Sequence, residues 1–325
     1  MEKELKQLMG YRPSIRVLDA TLRDGGLVND FRFEDDFVKA IYEANKAAGV
    51  DYMEFGYRAS KKLFDVNDFG PWKFSTDDDI RRIVGDNADG PKISIMCDVG
   101  RCDFKTDVVD KKDSPVDMIR VACYLHQIPA AVEMVQFFKE KGYEVCTNIM
   151  AISNGQESDI RQALSMIGES DTDVIYIVDS FGSLYPEETS RVVDIYRETA
   201  VKHNKELGIH AHNNQQLAFA NTIECVGDGV NYLDATYNSL GRGAGNCAME
   251  LLLGFLKNPK YHEYEAYKFV QDHIVPLKAS GLKWGYDLQY AITGLMDQHP
   301  RTAIAFTKND RTDYAKFYQE ILYID

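Results

Sequence analysis

The feature that most constrains this chain is an alternation. Short runs rich in β-branched and aromatic residues take turns with longer stretches of helical periodicity across residues 1–256, and the short runs number eight: 15–21, 50–56, 92–99, 118–124, 143–151, 174–179, 207–212 and 232–236. Helical patterns lie between them at 34–48, 76–84, 128–141, 157–168, 186–202, 215–226 and 248–256. Connections this short force neighbouring strands to run parallel through right-handed crossovers, and eight such units close on themselves. The expected fold is therefore an α/β (β/α)8 TIM barrel over 1–256, with a helical, aromatic-rich extension over 257–325 packed against it. An open doubly wound sheet is the alternative. Closure is favoured because no G-x-G-x-x-G follows the first run and because polar residues gather after several strands rather than at one switch point.

A net charge of −14 with no basic block interleaved with aromatics argues against a nucleic-acid partner, and no apolar run is long enough to span a membrane. Residues 1–10 lack the apolar core of a secretory signal, so the expected compartment is cytoplasmic. The six cysteines form no C-x-x-C pair and several fall inside strand runs, which suits reduced, buried thiols. The acidic run Asp77 to Asp79 follows Ser75 and Thr76 and reads as a capped helix start.

Chemistry concentrates at three places. His210 and His212 sit two apart at the end of the seventh run, and alternate residues of a strand share a face. Such a pair also occurs as hydrogen-bonded core or surface histidines. At the end of the first run, Thr21-Leu22-Arg23-Asp24-Gly25 places an arginine and a carboxylate beside glycines. In a closed barrel the eighth strand lies between the seventh and the first, so Asp24 and both histidines can share one metal ion at a common rim. The loop after the eighth run, Gly241-Arg242-Gly243-Ala244-Gly245-Asn246, allows close backbone approach. Asn246 either caps the next helix or reaches the same site. Asn148, Ser153 and Asp179 end their strands at that rim.

These segments resemble the DRE-TIM metallolyases, a family that includes 4-hydroxy-2-oxovalerate aldolase, hydroxymethylglutaryl-CoA lyase and 2-isopropylmalate synthase. The resemblance rests on T-L-R-D-G at 21–25, H-A-H-N-N at 210–214 and G-A-G-N at 243–246, in that order. It implies Asp24, His210 and His212 as metal ligands with Asn246 as a fourth, Arg23 as the group facing an enolate oxygen, and Glu54 as a site-lining carboxylate. Gly285-Tyr286 and Tyr290 match the G-Y-x-x-x-Y from which the aldolases supply an active-site tyrosine, which implies Tyr290 for proton transfer; His299 is the other candidate. Two imidazoles and a carboxylate suit Mn²⁺ or Mg²⁺, and also accommodate Zn²⁺, Co²⁺ or Fe²⁺.

The implied function is a metal-dependent aldolase or lyase that breaks or forms a C–C bond in a 4-hydroxy-2-oxo acid through an enolate. The aldolases carry a histidine base three residues after the metal-binding aspartate; Leu27 stands there in this chain. That departure keeps open a metal-binding barrel without catalysis, and the same enolate chemistry keeps open an acyl-CoA-dependent condensing enzyme or a decarboxylase. The resemblance also raises an aldehyde dehydrogenase partner, and base rates favour a homo-oligomer.

Overall fold

A computed structural model describes residues 14–323. The segment 1–10, read above for a leader, lies outside the described residues. Eight parallel strands close in sequence order: β1 Arg16–Asp19, β2 Tyr52–Tyr57, β3 Lys92–Asp98, β4 Met118–Cys123, β5 Glu144–Ile149, β6 Val174–Asp179, β7 Glu206–Ala211 and β8 Tyr232–Ala235. β8 pairs with both β7 and β1, which brings the ends of the first and seventh strands to one rim as expected.

The helices are α1 Thr21–Gly25, α2 Asp35–Ala48, α3 Asp77–Val84, α4 Phe104–Asp107, α5 Ile128–Glu140, α6 Glu157–Glu169, α7 Pro186–His203, α8 Ala218–Gly227 and α9 Met249–Leu256. α3 starts as its sequence predicts, with Thr76 Oγ1 accepting from the Asp79 N–H at 3.2 Å. One local feature differs from expectation: the TLRDG segment turns helical at Thr21 instead of prolonging the strand. The crossover after β3, where the sequence shows no helical pattern, holds only α4 and a 3-10 turn at Lys111–Asp113.

Strand alternation sorts the core into two layers. Val17, Met53, Ile95, Ile119, Ile177 and Leu233 pack outward against the helices. Leu18, Tyr52, Met118, Tyr176 and Tyr232, each next to one of these in sequence, pack together with Cys146 inside the barrel. The interior positions two residues further along β2, β4, β7 and β8 are Glu54, Arg120, His210 and Asp234, all buried. Gly208 is small for a reason: a Cβ there would come within 2.6 Å of the Tyr176 ring. An apolar floor thus carries a charged layer directly beneath the rim.

Beyond α9 the chain continues through α10 Glu263–Phe269, α11 Val275–Ala279, α12 Leu288–Leu295, α13 Arg301–Lys308 and α14 Tyr314–Leu322. α10 packs on α2. The last three helices build an apolar cluster from Tyr290, Ile292, Ala303, Phe306, Phe317 and Ile321, and Ala244 of the loop after β8 joins it. Asn214, two residues beyond His212, donates to the Tyr290 carbonyl at 3.4 Å. The tail is therefore anchored on the rim where the motifs meet. Among the described residues no helix is long and apolar enough to cross a membrane. The six cysteines are unpaired, five of them buried and Cys102 half-buried.

Candidate metal centre and active site

Asp24 projects from α1, one helical turn past the end of β1, while His210 leaves the interior of β7 and His212 follows one residue past its end. All three side chains are buried, and one ligand atom from each lies within 4.8 Å of the others. His210 Nε2 stands 3.1 Å and His212 Nε2 3.5 Å from Asp24 Oδ2. Each ring is oriented from behind: His210 Nδ1 lies 2.9 Å from Asp234 Oδ2, and His212 Nδ1 3.0 Å from the Asp179 carbonyl oxygen. Tying the outer nitrogen to an acceptor leaves each Nε2 free to act as an electron-pair donor toward the same point.

Charge follows from this packing. Burial opposes ionisation of Asp24, but Arg23 and the two histidines outweigh it and hold the carboxyl well below the usual range. Burial, with Arg242 and His210 nearby, pushes His212 down to about 3, so its imidazole is neutral despite Asp24. His210 is shifted upward: burial and Arg23 work against its charge, and the bonds to Asp234 and Asp24 prevail.

Asn246 is the fourth residue at this point. Its backbone forms an antiparallel bridge with His212. Both atoms of its amide are buried without a hydrogen-bond partner. Gly241 makes room for it, since a Cβ there would fall 2.3 Å from the Asn246 amide nitrogen and 3.4 Å from Asp24 Cγ. Asn246 is not the helix cap, because α9 begins at Met249 with Ala248 as its N-cap. A buried amide with nothing to bond, beside a carboxylate and two oriented imidazoles, is a donor set that fits a divalent cation.

Arg23 and Glu54 belong to one buried ionic network. Glu54 Oε2 accepts from Arg23 Nε at 2.8 Å and from Arg120 Nη1 at 3.0 Å, and Arg120 Nη2 reaches Asp234 Oδ2 at 2.6 Å. Arg23 Nη1 donates to Asp24 at 3.1 Å. Burial disfavours the Arg23 charge, yet Glu54 and Asp24 keep its pKa far above the usual value.

A cavity of about 540 Å³, counted with its open mouth, sits above this cluster. Arg23, Asp24, His210 and His212 line it with Leu27, Asn148, Arg242 and His299. Glu54 does not line it; from beneath the floor this carboxylate holds Arg23, which does line the cavity, and Arg120, which does not.

Tyr290, expected at the site, is also placed elsewhere. Its ring lies in the C-terminal apolar cluster with its hydroxyl 3.5 Å from Thr307 Oγ1, because α12 presents that face to α13 and α14. Asp179 spends its carboxylate on the Ser183 and Leu184 N–H groups, at 3.0 and 3.3 Å, and Ser153 does not reach the cavity. Sequence reasoning missed Arg120, Asp234 and Arg242. The first two did leave a signal, a single charge inside an otherwise apolar strand.

A profile of the HMGL-like family matches residues 14–271, the span that contains the barrel and Asp24, His210, His212 and Asn246. The chain belongs to the HMGL-like family. Similar to this HMGL-like chain is an oxaloacetate decarboxylase from Mycobacterium tuberculosis (strain ATCC 25618 / H37Rv), 30% identical over 245 residues, which cover 74% of this chain and 69% of the relative. A 4-hydroxy-2-oxovalerate aldolase from Pelotomaculum thermopropionicum (strain DSM 13744 / JCM 10971 / SI) is 29% identical over 253 residues, 77% of this chain and 72% of the relative.

Among solved structures, the N-terminal domain of a Bacteroides vulgatus protein assigned as an aldolase superposes with a TM-score of 0.75 at 27% identity, over 90% of this chain and 97% of that one. The carboxyl transferase domain of Rhizobium etli pyruvate carboxylase, at 14% identity and a TM-score of 0.68 over 94% of this chain and 57% of that one, shares the fold. The HMGL-like family implies a divalent metal, and Asp24, His210 and His212 form the cluster that could hold it.

Proposed function

We propose that this HMGL-like chain is a divalent-metal-dependent aldolase acting on a 4-hydroxy-2-oxo acid, with Asp24, His210, His212 and Asn246 holding the ion. The enzyme class, a carbon–carbon lyase of the aldolase type, rests on family membership and on several relatives named 4-hydroxy-2-oxovalerate aldolase. The observation that carries the reading at the site is the convergence of both imidazole Nε2 atoms on Asp24 Oδ2, with their outer nitrogens already committed. Mn²⁺ or Mg²⁺ suits a set of two neutral nitrogens, a carboxylate and an amide oxygen. When bound, the ion supplies Lewis-acid polarisation of the substrate's 2-oxo group and a counter-charge for the enolate.

The chain's own residues supply the rest. Arg23 is locked by Glu54 and Asp24 with its guanidinium at the cavity floor, where it stabilises negative charge developing on the carbonyl oxygen without reorganising. Leu27, Met96, Met150 and Phe181 wall the cavity and limit water around that charge. Asn148 lines the cavity, and its carboxamide oxygen is buried without a hydrogen-bond partner.

One observation favours a second reading on the same site. Leu27 occupies the position of the aldolases' base, and decarboxylation of a 2-oxo acid requires no proton to be taken from a hydroxyl. The test is the metal content of purified protein and of Asp24→Ala and His212→Ala variants, followed by assay of the loaded protein for pyruvate, aldehyde and CO₂. We expect near-stoichiometric metal lost in both variants and pyruvate with an aldehyde as products. CO₂ without aldehyde selects the decarboxylase, and no metal after reconstitution removes both readings.

A further inference from the structure

Arg242 is the one arginine of the cavity wall that no carboxylate neutralises among the described residues. Its backbone N–H stands 3.4 Å from Asp24 Oδ1, and its side chain runs from there to the Ser180 carbonyl, to which Nη2 donates at 2.9 Å. Its Nε is buried without a partner. Its other terminus meets His299: Nη1 and His299 Nε2 are 3.3 Å apart.

That second contact is a mismatch. His299 Nδ1 accepts the Arg301 backbone N–H at 3.1 Å, so a neutral ring carries its proton on Nε2. The ring is kept neutral, because burial, Arg242 and Arg301 lower it to about 4. Two N–H donors, one of them cationic, therefore face each other across the cavity wall with no acceptor between them. The arrangement is built: Phe181 meets the His299 ring edge-on at 5.8 Å, and the Ser180 carbonyl fixes the plane of the guanidinium without cancelling its charge. Unspent donors converging on one point of a substrate cavity call for an anionic oxygen.

We propose that Arg242 and His299 form a subsite for a second carboxylate of the substrate, which makes the substrate a 2-oxo dicarboxylate rather than a 2-oxo acid with an uncharged end. This deepens the reading above and rests on it. One carboxylate and the 2-oxo group face the Asp24–His210–His212 cluster; the distal carboxylate bridges the Arg242 guanidinium and His299 Nε2–H.

The test uses two compounds that cannot undergo retro-aldol cleavage because they lack a 4-hydroxyl: 2-oxoglutarate, ending in a carboxylate, and 2-oxovalerate, the same carbon chain ending in a methyl group. Binding of each to the metal-loaded protein is measured by calorimetry for the wild type, Arg242→Gln and His299→Ala. The expected result is a preference of roughly 10-fold or more for 2-oxoglutarate in the wild type. Arg242→Gln should abolish it with 2-oxovalerate affinity retained, and His299→Ala should reduce it. Equal affinities in the wild type, or a preference that survives Arg242→Gln, overturn the subsite alone. Binding of neither compound overturns the 2-oxo acid reading and the subsite with it. A loss of 2-oxovalerate binding in Arg242→Gln equal to the loss of 2-oxoglutarate binding also overturns the subsite, because the arginine would then serve the shared end of the ligand.

Discussion

Asp234 and His210 face each other across the β7–β8 junction at 2.9 Å, and the same Asp234 oxygen takes a hydrogen bond from Arg120. Burial disfavours the Asp234 charge, but Arg120 and His210 keep its pKa below the usual carboxylate range. The metal-facing nitrogen of His210 is thereby oriented by a group that never touches the ligand. Asp234→Asn should weaken metal affinity by about 10–100-fold with the three ligands intact. Competition against a chelator measures it, and an affinity equal to wild type in a folded variant would remove Asp234 from this role.

Arg23 divides its donors between Glu54 and Asp24 and leaves the remainder at the cavity floor. Arg23→Ala should lower kcat by ~10²-fold or more, as loss of one preorganised donor to a developing oxyanion does. Arg23→Lys should recover little, because an ammonium cannot bond Glu54 and Asp24 in one plane while also facing the cavity. Steady-state kinetics in which Arg23→Lys matches wild type would show that charge alone suffices.

Tyr290 offers a sharp contrast. Its hydroxyl is 3.5 Å from Thr307 and its ring is part of the α12–α14 cluster. Tyr290→Phe should change kcat by less than about threefold, well under 1 kcal/mol on the barrier. Tyr290→Ala should lower stability by roughly 3–5 kcal/mol through the cavity left in that cluster. A large kcat defect in the phenylalanine variant would mean that the tail rearranges and delivers the hydroxyl to the substrate.

Asp19, at the end of β1, is fully buried. Its carboxylate bonds Thr21, and it accepts from Asn45 Nδ2 at 2.7 Å. Burial raises it to about 6 against the opposing hydrogen bonds, above the 3.8 of an unfolded aspartate. The folded state therefore holds this proton more tightly, and the associated stability is present at acidic pH and lost as pH rises through about 6. A rise of that size corresponds to roughly 3 kcal/mol. Denaturation of wild type and Asp19→Asn should give a stability difference that moves in the variant's favour by up to that amount between about pH 4 and 7. A constant difference would show that Asp19 ionises as readily folded as unfolded.

The barrel and the candidate metal cluster were legible in the order of residues alone. Eight β/α units of this length close one way, and once closed they bring Asp24, just past β1, beside two alternate histidines at the end of β7. Those facts need only periodicity and strand order. The same reasoning could not show that Glu54 would lie under Arg23 instead of facing the cavity, or that it would share Arg120 with Asp234. β2, β4 and β8 meet only across the barrel interior, at a depth set by register and side-chain volume. Nor did it reveal that Tyr290 turns into the tail while His299, nine residues later, turns toward Arg242. α12 and α13 are both amphipathic on any count of residues. Which of their faces meets the rim depends on how the tail packs on Asn214 and Ala244, a contact between segments far apart in the chain that exists only once the whole barrel has closed beneath it.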